Sequence, residues 1–216
     1  MPRKDCPSDL TDEQWQVVKS LVRRRSRRGR PPMDRREIIN AIWYVNRNEC
    51  GWRARAYDFP NWKTVYTVFW RWRNDGMWQR IHDRLREPCR EAVGKNPTPT
   101  VAIIDSQSVK TTDIGGAERG YDPGKMISGR KRHIAVDTLG LLLSVVVHGA
   151  SWQDHDGACF VLSRLHQKSR RISVVFGDSS YGRNGLPAWV KETFGWILQT
   201  VLRPVGIKGF VILPKR

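Results

Sequence analysis

The chain contains no run of eighteen or more apolar residues, about the least that a membrane-spanning helix needs. Its start, Met1 to Leu10, carries charges and prolines where a signal peptide would carry an apolar core. Both absences point to a protein that is neither secreted nor membrane-spanning. Cysteine is sparse: Cys6, Cys50, Cys89 and Cys159 lie far apart and form no C-x-x-C pair, which argues against a zinc knuckle or a disulfide framework and fits a reducing cytosol. No G-x-x-x-x-G-K-[ST] pattern occurs, so no P-loop is present, and no internal repeat is visible. Acids are outnumbered, with 21 Asp+Glu against 38 Lys+Arg and a formal net charge of +17. Such an excess seeks a polyanion. Nucleic acid is the natural one, because neutralised phosphates release condensed counterions; a basic ribosomal or membrane-surface protein fits the same composition.

With 216 residues the chain can hold one ordinary domain and a smaller one. Helical patterning stops near Gly94 to Thr100, at Gly-Lys-Asn-Pro-Thr-Pro-Thr, which predicts a helical domain over 1–95, a linker over 96–100 and a second domain over 101–216. In the first, Thr11 caps a helix with Gln14 three residues on, and Trp15, Val18, Leu21 and Val22 recur at helical spacing. A second helix begins near Asp34 with Ile38, Ile39, Ile42 and Val45 on one stripe. A third follows the cap Asn61 with Val65, Val68, Phe69 and Trp72. A fourth is predicted over Asp75 to Glu87, ended or kinked by Pro88.

These short helices carry 22 Lys+Arg against 12 Asp+Glu and seven of the ten tryptophans, the make-up of a helix-turn-helix-like DNA-binding module. On the third helix Lys63, Thr64, Thr67 and Arg71 fall away from the apolar stripe, as a groove-reading face or as a plain solvated surface. Trp15 and Trp72 lie on the stripes and read as core. Between the first two helices Arg23, Arg24, Arg25, Arg27, Arg28 and Arg30 form a run that Gly29, Pro31 and Pro32 keep from being a helix face. It reads as an arm following a phosphate backbone.

The second domain reads as strands, then alternating helices and strands. Arg132 to Val136 and Leu141 to Val147 flank the turn Asp137-Thr138-Leu139-Gly140, so three strands come early. A helix over Asp156 to Leu165 leads to a strand over Ile172 to Phe176, then a helix over Leu186 to Phe194, a strand over Trp196 to Val201 and a short apolar run, Gly209 to Leu213. Asp105 follows the apolar run Val101 to Ile104, and Asp178 follows Val174 to Gly177. A crossover that lays the later strand parallel to the first would bring these strand-end carboxylates together. A divalent cation between them would suit phosphodiester chemistry; alone, each also reads as a turn residue.

Other polar clusters are less specific. Asp154, His155 and Asp156 read as acids at a helix start, where the dipole favours them, with metal binding as the alternative. His133 is either a core partner or a phosphate contact. Gly115, Gly116, Gly120 and Gly124 mark a flexible loop with Lys125, Arg130, Lys131 and Arg132 nearby, placed to meet DNA.

Almost the whole chain resembles a known family. LTDEQWQVVKSLV at the start, the RGRPP segment, the aromatic stretch from Trp43 to Trp72, AIIDSQSVKT at 102–111, GRKRHIAVDTLGLLL at 129–143 and GDSSYGRNGLPAWV at 177–190 are similar to bacterial insertion-sequence transposases of the DDE type, in the IS5 group of the IS4 superfamily. The resemblance implies a mixed α/β fold, a ribonuclease H-like sheet with flanking helices, behind the small helical domain. It implies Asp105 and Asp178 as the first two catalytic carboxylates, with Mg²⁺ or Mn²⁺ as cofactor. The partners it implies are DNA, both the element's terminal inverted repeats and the target, and a second copy of the chain, in the nucleoid of a bacterial cytoplasm.

The third carboxylate of the family is a glutamate four residues past the arginine that matches Arg216, where this sequence stops. Glu192, the only acid after Asp178, falls in a helix where the family does not place its glutamate. The resulting expectation is a chain lacking one metal ligand and one helix over its sheet, through a frameshift or stop, or awaiting the product of a second reading frame. Such a chain binds DNA without nicking or joining it. The alternatives are a non-catalytic DNA-binding regulator of transposition and a nuclease acting on RNA hybrids.

Overall fold

The computed structural model describes residues 3–22, 33–111 and 118–201. The arginine run from Arg23 to Arg30, the loop glycines Gly115 and Gly116, and the apolar run Gly209 to Leu213 lie outside the described residues. The chain divides into two compact units, Met1–Pro97 and Thr98–Arg216.

Among its described residues the first unit contains four α-helices. α1 (Asp12–Val22) opens on a reciprocal capping box: the Thr11 amide donates to Gln14 Oε1 (3.1 Å) and the Gln14 amide donates to Thr11 Oγ1 (3.3 Å). α2 (Arg35–Arg47) and α3 (Trp62–Asn74) start at Asp34 and Asn61, whose side chains accept from the amides of Arg36 and Lys63. Their apolar stripes converge on a core of Val18, Ile38, Ile39, Ile42, Val65 and Trp72, with Trp15 at its margin. Arg3 ties the N-terminal segment down, pairing with Asp9 (2.7 Å) and Glu37 (2.9 Å) beneath the Phe59 ring.

α4 (Met77–Glu91) runs past Pro88, which sits inside the helix without ending it. The ring removes one donor near the C-terminus, and local contacts outweigh that loss. Arg90 is buried and donates from Nε to the Asn96 carbonyl (2.7 Å), while the Ala92 and Lys95 amides cap the carbonyls of Pro88 and Arg90.

The second unit is built on one mixed sheet. β1 (Val101–Lys110), β3 (Ile127–Val136) and β4 (Leu142–Gly149) run antiparallel, with short β2 (Gly120–Asp122) beside the start of β3. Among the described residues four strands therefore precede the helix, where the sequence marks three. β5 (Val174–Asp178) then joins the free edge of β1 in parallel, and β6 (Ile197–Val201) joins β5 in parallel. The path β4-β3-β1-β5-β6, three antiparallel strands continued by two parallel ones, is the ribonuclease H-like arrangement. In the β3–β4 turn, Gly140 takes φ +78° and Asp137 Oδ1 accepts the amides of Leu139 and Leu141, which fixes the hairpin.

α5 (Asp154–Lys168) and α6 (Leu186–Phe194) pack on one face of the sheet, over Ala102, Ile104, Ala135, Leu143, Val175 and Leu198. Side chains alternate along a strand, so the residues between these point to the other face. That face carries Ile103, Val147, Ile197 and Val201, all partly or largely exposed, together with Asp105 and Asp178.

Candidate active site

The sheet register positions the two aspartates. β1 and β5 pair in parallel as Val101↔Val174, Ala102↔Val175 and Ile103↔Phe176, and Asp105 and Asp178 each stand two residues beyond the last of these pairs. Parallel partners share a face, so both carboxylates rise from the face opposite α5, at equal height along neighbouring strands. Asp178 ends its strand as expected from the sequence. Asp105 does not: β1 continues to Lys110, because Ser106 and Ser108 turn inward and bond the half-buried Asp154 and the buried Asp122.

Each aspartate has one oxygen committed to the backbone. The Ser106 amide donates to Asp105 Oδ1 (2.7 Å), and the Ser180 amide donates to Asp178 Oδ1 (2.9 Å), where Asp178 caps a short 3₁₀ turn at Ser179–Gly182. The Ser180 hydroxyl donates to the same oxygen. The Oδ2 atoms receive no protein donor among the described residues, and both side chains are exposed. Two outward carboxylate oxygens suit a hard divalent cation, since Mg²⁺ is commonly held by one or two carboxylates together with water and substrate phosphate. Among the described residues no group of three or more His, Cys, Asp or Glu could hold a metal alone.

The basic residues expected around the loop are sorted by the pleat of β3. Arg132 pairs across from Gln107 and Arg130 from Val109, so both lie on the face of Asp105. Arg132 Nε donates to Gln107 Oε1 (2.8 Å), which orients its guanidinium. Lys125 is exposed and donates from Nζ to the Ser106 carbonyl (3.2 Å). Lys131 is a correction, since it points inward with its side chain only 6% exposed, bonds Asp122 Oδ2 (3.1 Å) and Asp154 Oδ1 (3.3 Å), and cannot serve as a phosphate contact. Its neighbour His133 is likewise core, stacked on His148 with Nδ1···Nε2 at 3.0 Å.

This buried layer is what the sequence hid. Asp154, marked only as a helix-start acid, accepts from the Ser106 hydroxyl (2.8 Å) and Lys131 and lies 3.6 Å from His133 Nε2. The His133 imidazole, then Ser106 and Lys131, hold its carboxyl well below the usual range against the opposing effect of burial. Burial raises Asp122, but the Ser108 hydroxyl (2.6 Å), Lys131 and the Lys125 amide bring it below its ordinary value. Tyr181 is 1% exposed, and burial, with the carboxylates of Asp154, Asp105 and Asp178 nearby, pushes its phenol well up. The signal available in the sequence was parity: Lys131 and His133 alternate with Arg130 and Arg132 and share the inward phase of Ala135.

On α3, Lys63, Thr67 and Arg71 are exposed along one face and line a shallow pocket of about 320 Å³ with Met33, Arg35 and Thr64. Thr67 Oγ1 donates to the Lys63 carbonyl (2.7 Å). Trp62 lies under two cations, Arg53 (4.9 Å) and Lys63 (5.9 Å).

Two protein-family models match the chain. Residues 10–82 match the IS4/5 transposase family DUF4096, and residues 96–203, half the chain, match the transposase DDE domain. The chain belongs to the DDE transposases of the IS4/5 family. DDE domains as a class depend on divalent metal. Solved structures similar to this transposase include the simian T-cell lymphotropic virus intasome in complex with PP2A regulatory subunit B56 gamma (17% identity over 49% of this chain and 32% of that one, TM-score 0.32). The piggyBac transposase synaptic complex with hairpin DNA is 16% identical over 92% and 49%, with a TM-score of 0.39. The pre-cleavage Mos1 transpososome is 13% identical over 86% and 66%, with a TM-score of 0.29. The transposase spans about a third to two thirds of the length of these proteins, and at such scores the family rests on the two family models. No curated protein matches it. No helix among the described residues is long and apolar enough to cross a membrane.

Proposed function

We propose that this chain carries the DNA-binding and metal-binding parts of a transposase that cuts and joins DNA for a bacterial insertion sequence, with Asp105 and Asp178 as two of the carboxylates that bind Mg²⁺ or Mn²⁺. The observation that carries the reading is the parallel β1–β5 ladder, which brings the two aspartates to equal height on one open face. When bound, a divalent cation there would activate water or a 3′ hydroxyl and stabilise the leaving oxygen. Asp105 and Asp178 supply the negative charge that holds it, and the backbone donors on their Oδ1 atoms keep both carboxylates turned outward. Arg130 and Arg132, on the same face, supply charge for the phosphates that flank the scissile one, with Gln107 orienting Arg132.

The helical unit supplies DNA contacts of its own. Lys63, Thr67 and Arg71 form the face of α3 offered to a groove, and the arginines from Arg23 to Arg30 add backbone contacts. The substrates are the element's terminal inverted repeats and the target, and holding two ends at once calls for a second copy of the chain. The setting is the DNA of a bacterial cytoplasm.

Footprinting on the terminal repeats tests this reading. The chain is expected to protect the repeats over random DNA, and Lys63→Ala with Arg71→Ala to weaken protection and lower the salt slope of binding by about 2, roughly one for each lost phosphate contact. Asp105→Asn and Asp178→Asn should leave the footprint intact. Equal affinity for random DNA, or an unchanged slope, would count against the assignment.

A further inference from the structure

Pairing between β1 and β5 stops at Ile103↔Phe176, so the stretch of β1 that carries Asp105 runs on with ladder bonds to β3 alone among the described strands. A metal-binding carboxylate on such a half-tethered strand needs another restraint, because small displacements of a ligand cost affinity. The structure supplies one from behind. Ser106, next to Asp105, turns inward and donates from Oγ to Asp154 Oδ1 (2.8 Å) at the start of α5. Two residues on, Ser108 donates to Asp122 Oδ2 (2.6 Å), and Lys131 joins the two acids, at 3.1 Å from Asp122 and 3.3 Å from Asp154, while donating to the Trp152 carbonyl (2.8 Å).

The same cluster reaches the strand of Asp178. Tyr181 follows Asp178 by three residues and fills the space over Gly177, where a Cβ would come within 2.8 Å of the Tyr181 ring and 3.2 Å of Ile104. Helix α5 is pressed against the layer because position 157 is glycine; a Cβ there would meet His133 at 2.1 Å. Asp122 and Asp154 share the single positive charge of Lys131.

We infer that Asp154 is a positioning residue for the metal pair: through the Ser106 hydroxyl it fixes the segment of β1 that presents Asp105, with Lys131 holding the carboxylate in place. This rests on the reading of Asp105 and Asp178 as cation ligands. Asp154 itself starts α5, on the side of the sheet opposite the outward face of Asp105.

The test is Mn²⁺ binding to the full chain, followed by electron paramagnetic resonance, beside thermal melting and hydrogen exchange of the 105–108 amides. Wild type is expected to bind Mn²⁺ and Asp105→Asn to lose it. Ser106→Ala should weaken binding about tenfold, the usual scale for an outer-shell partner, with faster exchange at 105–108 and little change in melting temperature. Ser106→Thr, which keeps the hydroxyl, should restore both. Asp154→Asn, which keeps an acceptor but loses the charge that Lys131 holds, should fall between. Ser106→Ala binding as wild type does, while Asp105→Asn does not bind, would overturn the positioning role and leave the metal site standing. The positioning role also falls if Ser106→Ala and Ser106→Thr are equally weak, or if affinity drops only in step with melting temperature. Binding that is indifferent to Asp105→Asn would overturn the metal site and this inference with it.

Discussion

Lys131 shows how much one position in a strand decides. One residue either way, at Arg130 or Arg132, a cation faces the carboxylate side of the sheet; at 131 it is buried between Asp122 and Asp154, where removing it would leave two acids short of their counter-charge. A simpler case of compensation occurs at Asp83 on α4. Burial raises its pKa, but His82, Gln79 and Arg86 outweigh that and bring it to about 2. A carboxyl depressed in the folded state stabilises fully above its unfolded value near 4 and loses that contribution as pH falls through the folded one. Asp83→Asn is therefore expected to lower the melting temperature at neutral pH and to converge on wild type only as pH falls below about 2, with a modest difference because the side chain is 36% exposed. A gap that persists in acid would show that lost packing, and not charge, causes it.

Between elements, α5 approaches β3 closely. Gly157→Ala places a methyl inside the His133 ring, so the helix must shift; overpacking of this kind costs about 3 kcal/mol, to be read from urea unfolding. A neutral result would mean that the two elements can part freely. Helices are the legible part of this fold. The caps at Thr11, Asp34 and Asn61 and the stripes they open follow from local chemistry alone, and α6 spans the residues that its pattern marks. Pro88 does not end α4, because contacts within the turn that follows, through Arg90, offset the lost donor. The length of β1 is hidden because Ser106 and Ser108 look like the end of an apolar run, whereas their inward hydroxyls are satisfied by Asp154 and Asp122, which are remote in sequence. The aspartate pair can be named from its strand contexts. Their common height cannot, since it depends on the β1–β5 register, and the polar layer behind them consists of contacts between residues up to 48 positions apart.

Over the whole molecule, a net charge of +17 coexists with an outward pair of carboxylates on one sheet face. A charge of this size favours a polyanion, while in the proposed reading the two aspartates repel phosphate until a cation sits between them. Cation binding at Asp105 and Asp178 is thus the claim on which cutting and joining depend. It can be located directly with Fe²⁺ in place of Mg²⁺, adding ascorbate and peroxide so that hydroxyl radicals cut the polypeptide beside the bound ion. Cleavage is expected around Asp105 and Asp178, suppressed by excess Mg²⁺ and absent from Asp105→Asn and Asp178→Asn. Cuts elsewhere, or cuts at these positions that survive both substitutions, would contradict the assignment.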